Sequence, residues 1–295
     1  MRQKEIHPLL LLTAAACLLV TGGCKEKVVQ EETRAPATAS PAVIQQAAPA
    51  ATAPRPAPTP APTPSPVPVP ASTIPATGRT AYLTFDDGPS DHTDLILDIL
   101  KRDNVRATFF VNGNATPEGI RLYRRIAAEG HAIGNHTYSH SYARIYASVQ
   151  AYKADTEKLN DLLERAVGFR PDMLRFPGGS NNRLADKAGG KGVMRRIIGA
   201  MEAEGYSYVD WNVSSTDAAQ TVQPTAEIVG AVLGSSRGKR QIIVLMHDAA
   251  GKTTTVEALP AIIDGLKNQG FRFDKLSRHS FAFRFADGRT GATPP

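Results

Sequence analysis

From Ala81 almost to its end, the chain alternates short apolar runs with amphipathic stretches, and each run stops at a turn. Ala81-Tyr82-Leu83-Thr84-Phe85 is halted by Asp86-Asp87-Gly88-Pro89, so it reads as a buried strand. Further strands are predicted at 107–111, 131–134, 173–176, 206–210, 241–246 and 270–273. Helices are predicted between them at 93–102, 117–128, 148–164, 193–204, 225–233 and 256–268. In the first helix Leu95, Ile96, Ile99 and Leu100 are expected on the buried face, and Pro117 opens the second, where proline suits the first turn. Strands joined by helical crossovers form a parallel sheet with helices packed outside it. Seven or so such units predict an α/β fold, an irregular (β/α) barrel of about seven parallel strands, closed or nearly so.

The first quarter of the chain has a different composition. None of the nineteen aromatic residues precedes Tyr82, and 13 of the 22 prolines lie between Pro36 and Pro75. Such a stretch buries too little apolar surface to offset its ordering entropy. The expected organisation is a signal segment at 1–24, a Pro/Ala/Thr-rich linker at 25–77, a catalytic domain at 78–280 and a tail at 281–295. Arg2 and Lys4 precede a twelve-residue apolar run, Leu9 to Val20, which is too short to span a bilayer alone and suits an export signal. Leu19-Val20-Thr21-Gly22-Gly23-Cys24 resembles a bacterial lipobox, which makes Cys24 the expected lipidation site and the membrane a partner. The two cysteines, Cys17 and Cys24, both fall in this segment, so no disulfide is expected in the folded part. Forty residues of polyproline II would reach on the order of 100 Å, a spacer suited to crossing a wall layer. The expected address is an exported, lipid-anchored monomer facing the cell wall. A net charge of +6 suits anionic wall polymers but has no patterning that would argue for nucleic acid.

The unusual polar residues gather on that map. Asp86 and Asp87 end the first predicted strand, His136 and His140 follow the third, and Arg175, Asp210 and His247 end the next three. In a parallel barrel those strand ends share the face where active sites are built. His136 and His140 are four apart and would share one face if the segment turned helically. With one carboxylate they make a nitrogen and oxygen ligand set for a divalent ion, zinc ahead of cobalt. Of two adjacent carboxylates, one can bind metal while the other serves as general base, which leaves His247 free as general acid. These are the parts for hydrolysing an amide or ester.

Thr84-Phe85-Asp86-Asp87-Gly88-Pro89, His136-Thr-Tyr-Ser-His140, Arg175-Phe-Pro-Gly-Gly-Ser180, Asp210-Trp211 and Leu245-Met-His247-Asp248 resemble, in order, the five motifs of the polysaccharide deacetylases. This is the family of the NodB homology domain, carbohydrate esterase family four. The resemblance spans roughly Gly78 to Arg278 and is greatest to bacterial peptidoglycan deacetylases. It implies that Asp87, His136 and His140 hold the metal, that Asp86 is the base, and that Arg175 orients Asp86. It further implies that His247 protonates the departing amine with Asp210 as its partner. Gly178, after Pro177, would supply an oxyanion N–H, while Trp211 and Leu245 line the groove and acetyl pocket. The family often has an aromatic residue where Gly178 stands, which leaves a sugar-stacking surface to be supplied elsewhere, and an acidic one where Ala132 stands. His92 and His131 read as turn or packing residues, Asp217 as a helix cap or loop carboxylate, and Arg195 and Arg196 as a solvated helix face. The implied activity is removal of N-acetyl groups from peptidoglycan N-acetylglucosamine. The alternatives are the same chemistry on chitin oligomers, an exopolysaccharide or acetylxylan, or an inactive metal-retaining wall-binding module.

Overall fold

The computed structural model describes residues 78–285. The apolar leader, Cys24, the Pro-rich stretch and the tail from 286 onward lie outside the described residues. Eight strands and eight α-helices follow one another as β1 (Arg79–Asp86), α1 (Asp91–Arg102), β2 (Thr108–Val111), α2 (Pro117–Ala128), β3 (Ala132–Asn135), α3 (Tyr142–Ile145) and α4 (Val149–Val167). After them come β4 (Met173–Leu174), α5 (Asp186–Gly189), α6 (Val193–Ala203), β5 (Ser207–Tyr208), β6 (Val213–Ser214), α7 (Thr225–Ser236), β7 (Gln241–His247), α8 (Thr253–Asn268) and β8 (Phe271–Phe273). A parallel sheet runs β5-β4-β3-β2-β1-β7-β6, and β8 adds to the start of β1. The expected barrel of about seven parallel strands is thus present. No strand pairing joins β5 to β6 among the described residues, so the barrel is open there.

Alternation along the central strands determines what reaches the site. Ala81, Leu83 and Phe85 of β1, Phe109 and Val111 of β2, and Ile242, Val244 and Met246 of β7 point outward into one core shared with α1, α7 and α8. Their alternates point into the barrel. Tyr82, Phe110 and Ile243 form an inner apolar floor with Met173, Val209 and Leu276. Because side chains alternate with period two, a strand whose odd positions meet the helices delivers its even ones to the interior. On β1 these are Thr84 and then Asp86, in register with Leu245 and His247 of β7.

Two details differ from the sequence reading. Leu95 is 50% exposed, and the buried stripe of α1 is Thr93, Ile96, Leu97 and Leu100. Ser90 caps the helix in a box with Thr93, and that start sets the rotation. The segment from Phe281, expected to begin a tail, instead packs across the open side of the barrel. Phe281 is 8% exposed within the inner floor, and the N–H of Asp210 donates to the Phe283 carbonyl at 2.7 Å. Truncating Phe281 to Ala is expected to cost about 3 kcal/mol by the usual penalty for a buried aromatic, read from denaturant unfolding.

Candidate active site

The strand ends converge as the alternation requires. Asp87 lies just past β1 with φ 74°, a left-handed conformation that costs a non-glycine residue about 1 kcal/mol or more. The turn behind it is close-packed, since a Cβ on Gly88 would lie 2.1 Å from the Asp248 carboxylate. His136 and His140 were expected together on a helical turn. They are brought together instead by an irregular loop after β3, in which Thr137 and His140 have φ of 69° and 49°. That loop is tied down on every side. Asn135 Oδ1 accepts from the Thr137 N–H at 2.8 Å, Asp155 of α4 accepts from the Ser139 N–H at 2.9 Å, and Asn112 Nδ2 donates to the carbonyls of His136 and Thr137.

Nε2 of His136 and of His140 lie 3.4 and 3.1 Å from Asp87 Oδ1, and all three ligand atoms lie within 4.8 Å of one another. His136 Nδ1 sits 2.7 Å from the Arg175 carbonyl. A carbonyl can only accept, so Nδ1 carries the proton, and the Nε2 lone pair of a neutral ring faces the carboxylate. Asp87 Oδ1 is buried without a hydrogen-bond partner. Two imidazole Nε2 atoms and an orphaned carboxylate oxygen gathered at one point fit a divalent cation.

Beside this set, Asp86 is 2% exposed and accepts from Arg175 Nη1 at 2.9 Å. His247 stands next to Asp86 across the β1–β7 register. Its expected partner was Asp210, and the structure overturns that assignment. His247 Nδ1 pairs with Asp217 Oδ1 at 2.8 Å, and Asp217 Oδ2 accepts from the His247 N–H and from Thr255. Asp210 instead accepts from the N–H and hydroxyl of Ser180 and from the Phe285 N–H. The cause is topological. Asp210 leaves β5 at one edge of the open barrel, whereas Asp217 follows β6, which lies beside β7. The strand predicted at 206–210 covers β5 alone, and the two-residue β6 beyond it is absent from the sequence reading. Burial by itself would lower the His247 pKa. The hydrogen bond and charge of Asp217, with the charges of Asp86 and Asp87, raise it to about 9. His131, by contrast, is a packing residue: Nδ1 accepts from the Ala107 N–H, and burial drives its pKa down to about 4.

Comparisons with known proteins place the chain in a family. Residues 73–193 match the polysaccharide deacetylase family. A peptidoglycan-N-acetylglucosamine deacetylase of Bacillus cereus is 32% identical over 206 residues, which span 68% of this chain and 71% of the relative. This chain belongs to the polysaccharide deacetylase family. A chitin deacetylase of Colletotrichum lindemuthianum is 34% identical, with 64% of this chain and 75% of that one covered. Among solved structures, the catalytic domain of a peptidoglycan N-acetylglucosamine deacetylase from Eubacterium rectale superposes with a TM-score of 0.67 at 35% identity, covering 72% of this chain and 96% of that one.

The rim of this deacetylase is built from the loop after β4. Gly178 has φ 78°, and its N–H meets no hydrogen-bond acceptor among the described residues. The Pro177 carbonyl is held by the Tyr146 hydroxyl at 2.6 Å and by Asn182 Nδ2 at 3.0 Å, which fixes the peptide presenting that N–H. A Cβ on Gly178 would lie 2.5 Å from the Tyr142 hydroxyl. The space left by the missing side chain is therefore taken by Tyr142, whose ring lies 5.7 Å from that of His140. Here is the aromatic surface that the sequence reading could not locate. Leu245 is buried between Thr84 and Ser214 in the sheet register. Trp211 packs edge-on against Phe285 and within 3.2 Å of a Cβ at Gly179, so it buttresses the loop.

The pairing makes a sharp prediction for the metal-free protein. Asp217→Asn removes an anion that favours the protonated ring, so the His247 pKa should fall from about 9 toward the ordinary value of about 6.5. Asp210→Asn should leave it in place. Histidine-resolved NMR titration of both variants checks the pairing, and the opposite ranking would restore Asp210.

Proposed function

We propose that the chain is a metal-dependent N-deacetylase of cell-wall peptidoglycan acting on N-acetylglucosamine. The observation that carries the reading is the orphaned Asp87 Oδ1 facing two imidazole Nε2 atoms, beside a carboxylate, Asp86, that is not needed as a ligand. A divalent ion held by Asp87, His136 and His140 would supply Lewis acidity at the acetyl carbonyl and acidify water next to it. Zinc suits the nitrogen and oxygen donor set, with cobalt next. Asp86, held through one oxygen by Arg175, turns the other toward the same space as His136 Nε2, 3.8 Å away, and accepts the proton of the attacking water. The Gly178 N–H donates to the oxyanion that develops on the acetyl oxygen. His247 gives its Nε2 proton to the departing sugar nitrogen, and Asp217 favours and stabilises the charged ring until then. Tyr142 offers a face to the sugar across the rim.

The peptidoglycan assignment draws support from the bacterial relative and structure, whose names give N-acetylglucosamine of peptidoglycan. The leader with Cys24 and the wall-length Pro-rich stretch support the same address. A second reading is chitin oligomers, favoured by the fungal relative. Acetate release from peptidoglycan, chitotetraose and acetylxylan, measured side by side with zinc-loaded protein, separates the readings. The expected order of kcat/KM puts peptidoglycan first and acetylxylan last; a preference for chitotetraose would make chitin the substrate. Tyr142→Ala should raise KM on the preferred sugar several-fold with little change in kcat, as loss of a ground-state contact does.

A further inference from the structure

A second cleft, with a volume of about 360 Å³, opens beside the rim and is lined by Ser180, Asn181, Asn182, Arg183, Met194 and Arg195 among others. It adjoins the reaction site directly. Asn182 Nδ2 would lie 2.8 Å from a Cβ at Gly178, and two residues of chain from Gly178 to Ser180 span at most about 7 Å. The backbone of this wall is fixed, because Ser180 is anchored on Asp210, and Asn182 on Pro177 and on the Leu184 N–H. Its floor is apolar, from Met194 and Ile198 of α6.

The charge around the cleft is predominantly positive, although Asp186 also lies in its lining. Arg183, Lys187, Lys191, Arg195 and Arg196 face a single carboxylate, Asp186, between residues 181 and 198. Asp186 spends one oxygen on the Gly192 N–H, and Arg196 is pinned to the carbonyls of Gly189 and Lys191. The side chains of Arg183 and Arg195 have no ion pair or hydrogen bond among the described residues, and both residues are exposed in the cleft wall. Arg121, Arg125 and Arg170, by contrast, each neutralise two or more carboxylates on the helical surface. Two planar cations, left free over an apolar floor and flanked by two amides, form a receptor for a carboxylate on a short chain.

We propose that this cleft is a subsite for an acidic substituent, a lactyl or peptide carboxylate, carried by the sugar next to the one that loses its acetyl group. Arg183 and Arg195 are its recognition groups, and the inference rests on the deacetylase reading above. It gives the enzyme a physical means of telling peptide-bearing wall glycan from a neutral polymer of N-acetylglucosamine. The aligned loop carries the acceptor sugar at Gly178 and its neighbour's substituent at Asn182, so both are read by one rigid segment.

The test compares Arg183→Glu/Arg195→Glu with a charge-matched control, Lys101→Glu/Lys267→Glu, on exposed helix positions away from the cleft. Zinc-loaded full-length chain is assayed on a peptide-bearing muropeptide tetrasaccharide and on chitotetraose. The cleft variant should raise KM for the muropeptide roughly tenfold relative to chitotetraose, while the control shifts the ratio less than about twofold. An unchanged ratio in the cleft variant, or an equal shift in the control, overturns the subsite. Calorimetric binding of the muropeptide to metal-free protein provides a readout without turnover: binding should weaken in the cleft variant alone. If wild type hydrolyses neither glycan, the deacetylase reading fails, and the binding arm still decides whether the cleft takes the anion.

Discussion

Everything at the reaction face hangs on one buried cation. Arg175 is fully buried, and its guanidinium reaches Asp86 at 2.9 Å, Thr84 at 2.7 Å, and the carbonyls of Val209 and Asp210 at 3.1 Å each. Its plane lies over Phe110 at 4.2 Å, and its own carbonyl sets the tautomer of His136. One residue thereby joins the ends of β1, β2 and β4 and the turn after β5, and orients both Asp86, the proposed base, and His136, a proposed metal ligand. A charge in that position is tolerable because four of its five N–H donors are used within the described residues. Removing Asp86 or Arg175 would leave the other buried and unpaired, a loss of about 3–5 kcal/mol in comparable pairs. Such a network secures a geometry more than it adds stability. That is what the proposed site requires, because in it Asp86 and Asp87 hold opposite duties a single residue apart.

Most of this was legible in the chain because the physics is local. Strand runs that end in Asp-Asp, Arg or His, separated by helices, force those residues to one end of a parallel barrel. The outward alternation of Leu83 and Phe85 then sends Asp86 inward. The meeting of His136 and His140 with Asp87 was readable from residue type, though their spacing suggests a helical turn where the structure has a strained loop. What escaped depends on strands too short to have a pattern. β5 and β6 have two residues each, so no period-two signal separates them, and Asp217 read as a loop carboxylate. The one signal was Ser214-Ser215-Thr216-Asp217 itself, a polar run placed one strand before His247. Tyr142 and the closing role of Phe281 were equally invisible, since both arise from contacts more than thirty residues apart in the chain.

The same contacts explain how the rim can vary while the chemistry stays. Gly178 presents its N–H from a loop pinned by Tyr146, Asn182 and Asp210, none of which reacts. With no side chain there, the neighbouring helix supplies Tyr142, and the loop beyond is free to form the basic cleft. On the proposed reading, substrate preference is set by residues that follow the motif, and the proton transfers by residues inside it.

The division of labour between the paired aspartates is the central claim, and one paired measurement tests it: metal content by elemental analysis together with acetate release. Asp86→Asn should keep its metal and lose about 10²–10⁴ in kcat, the usual range for a general base, while Asp87→Asn should lose the metal itself. A metal-free Asp86→Asn, or a turnover close to wild type in that variant, would contradict the account.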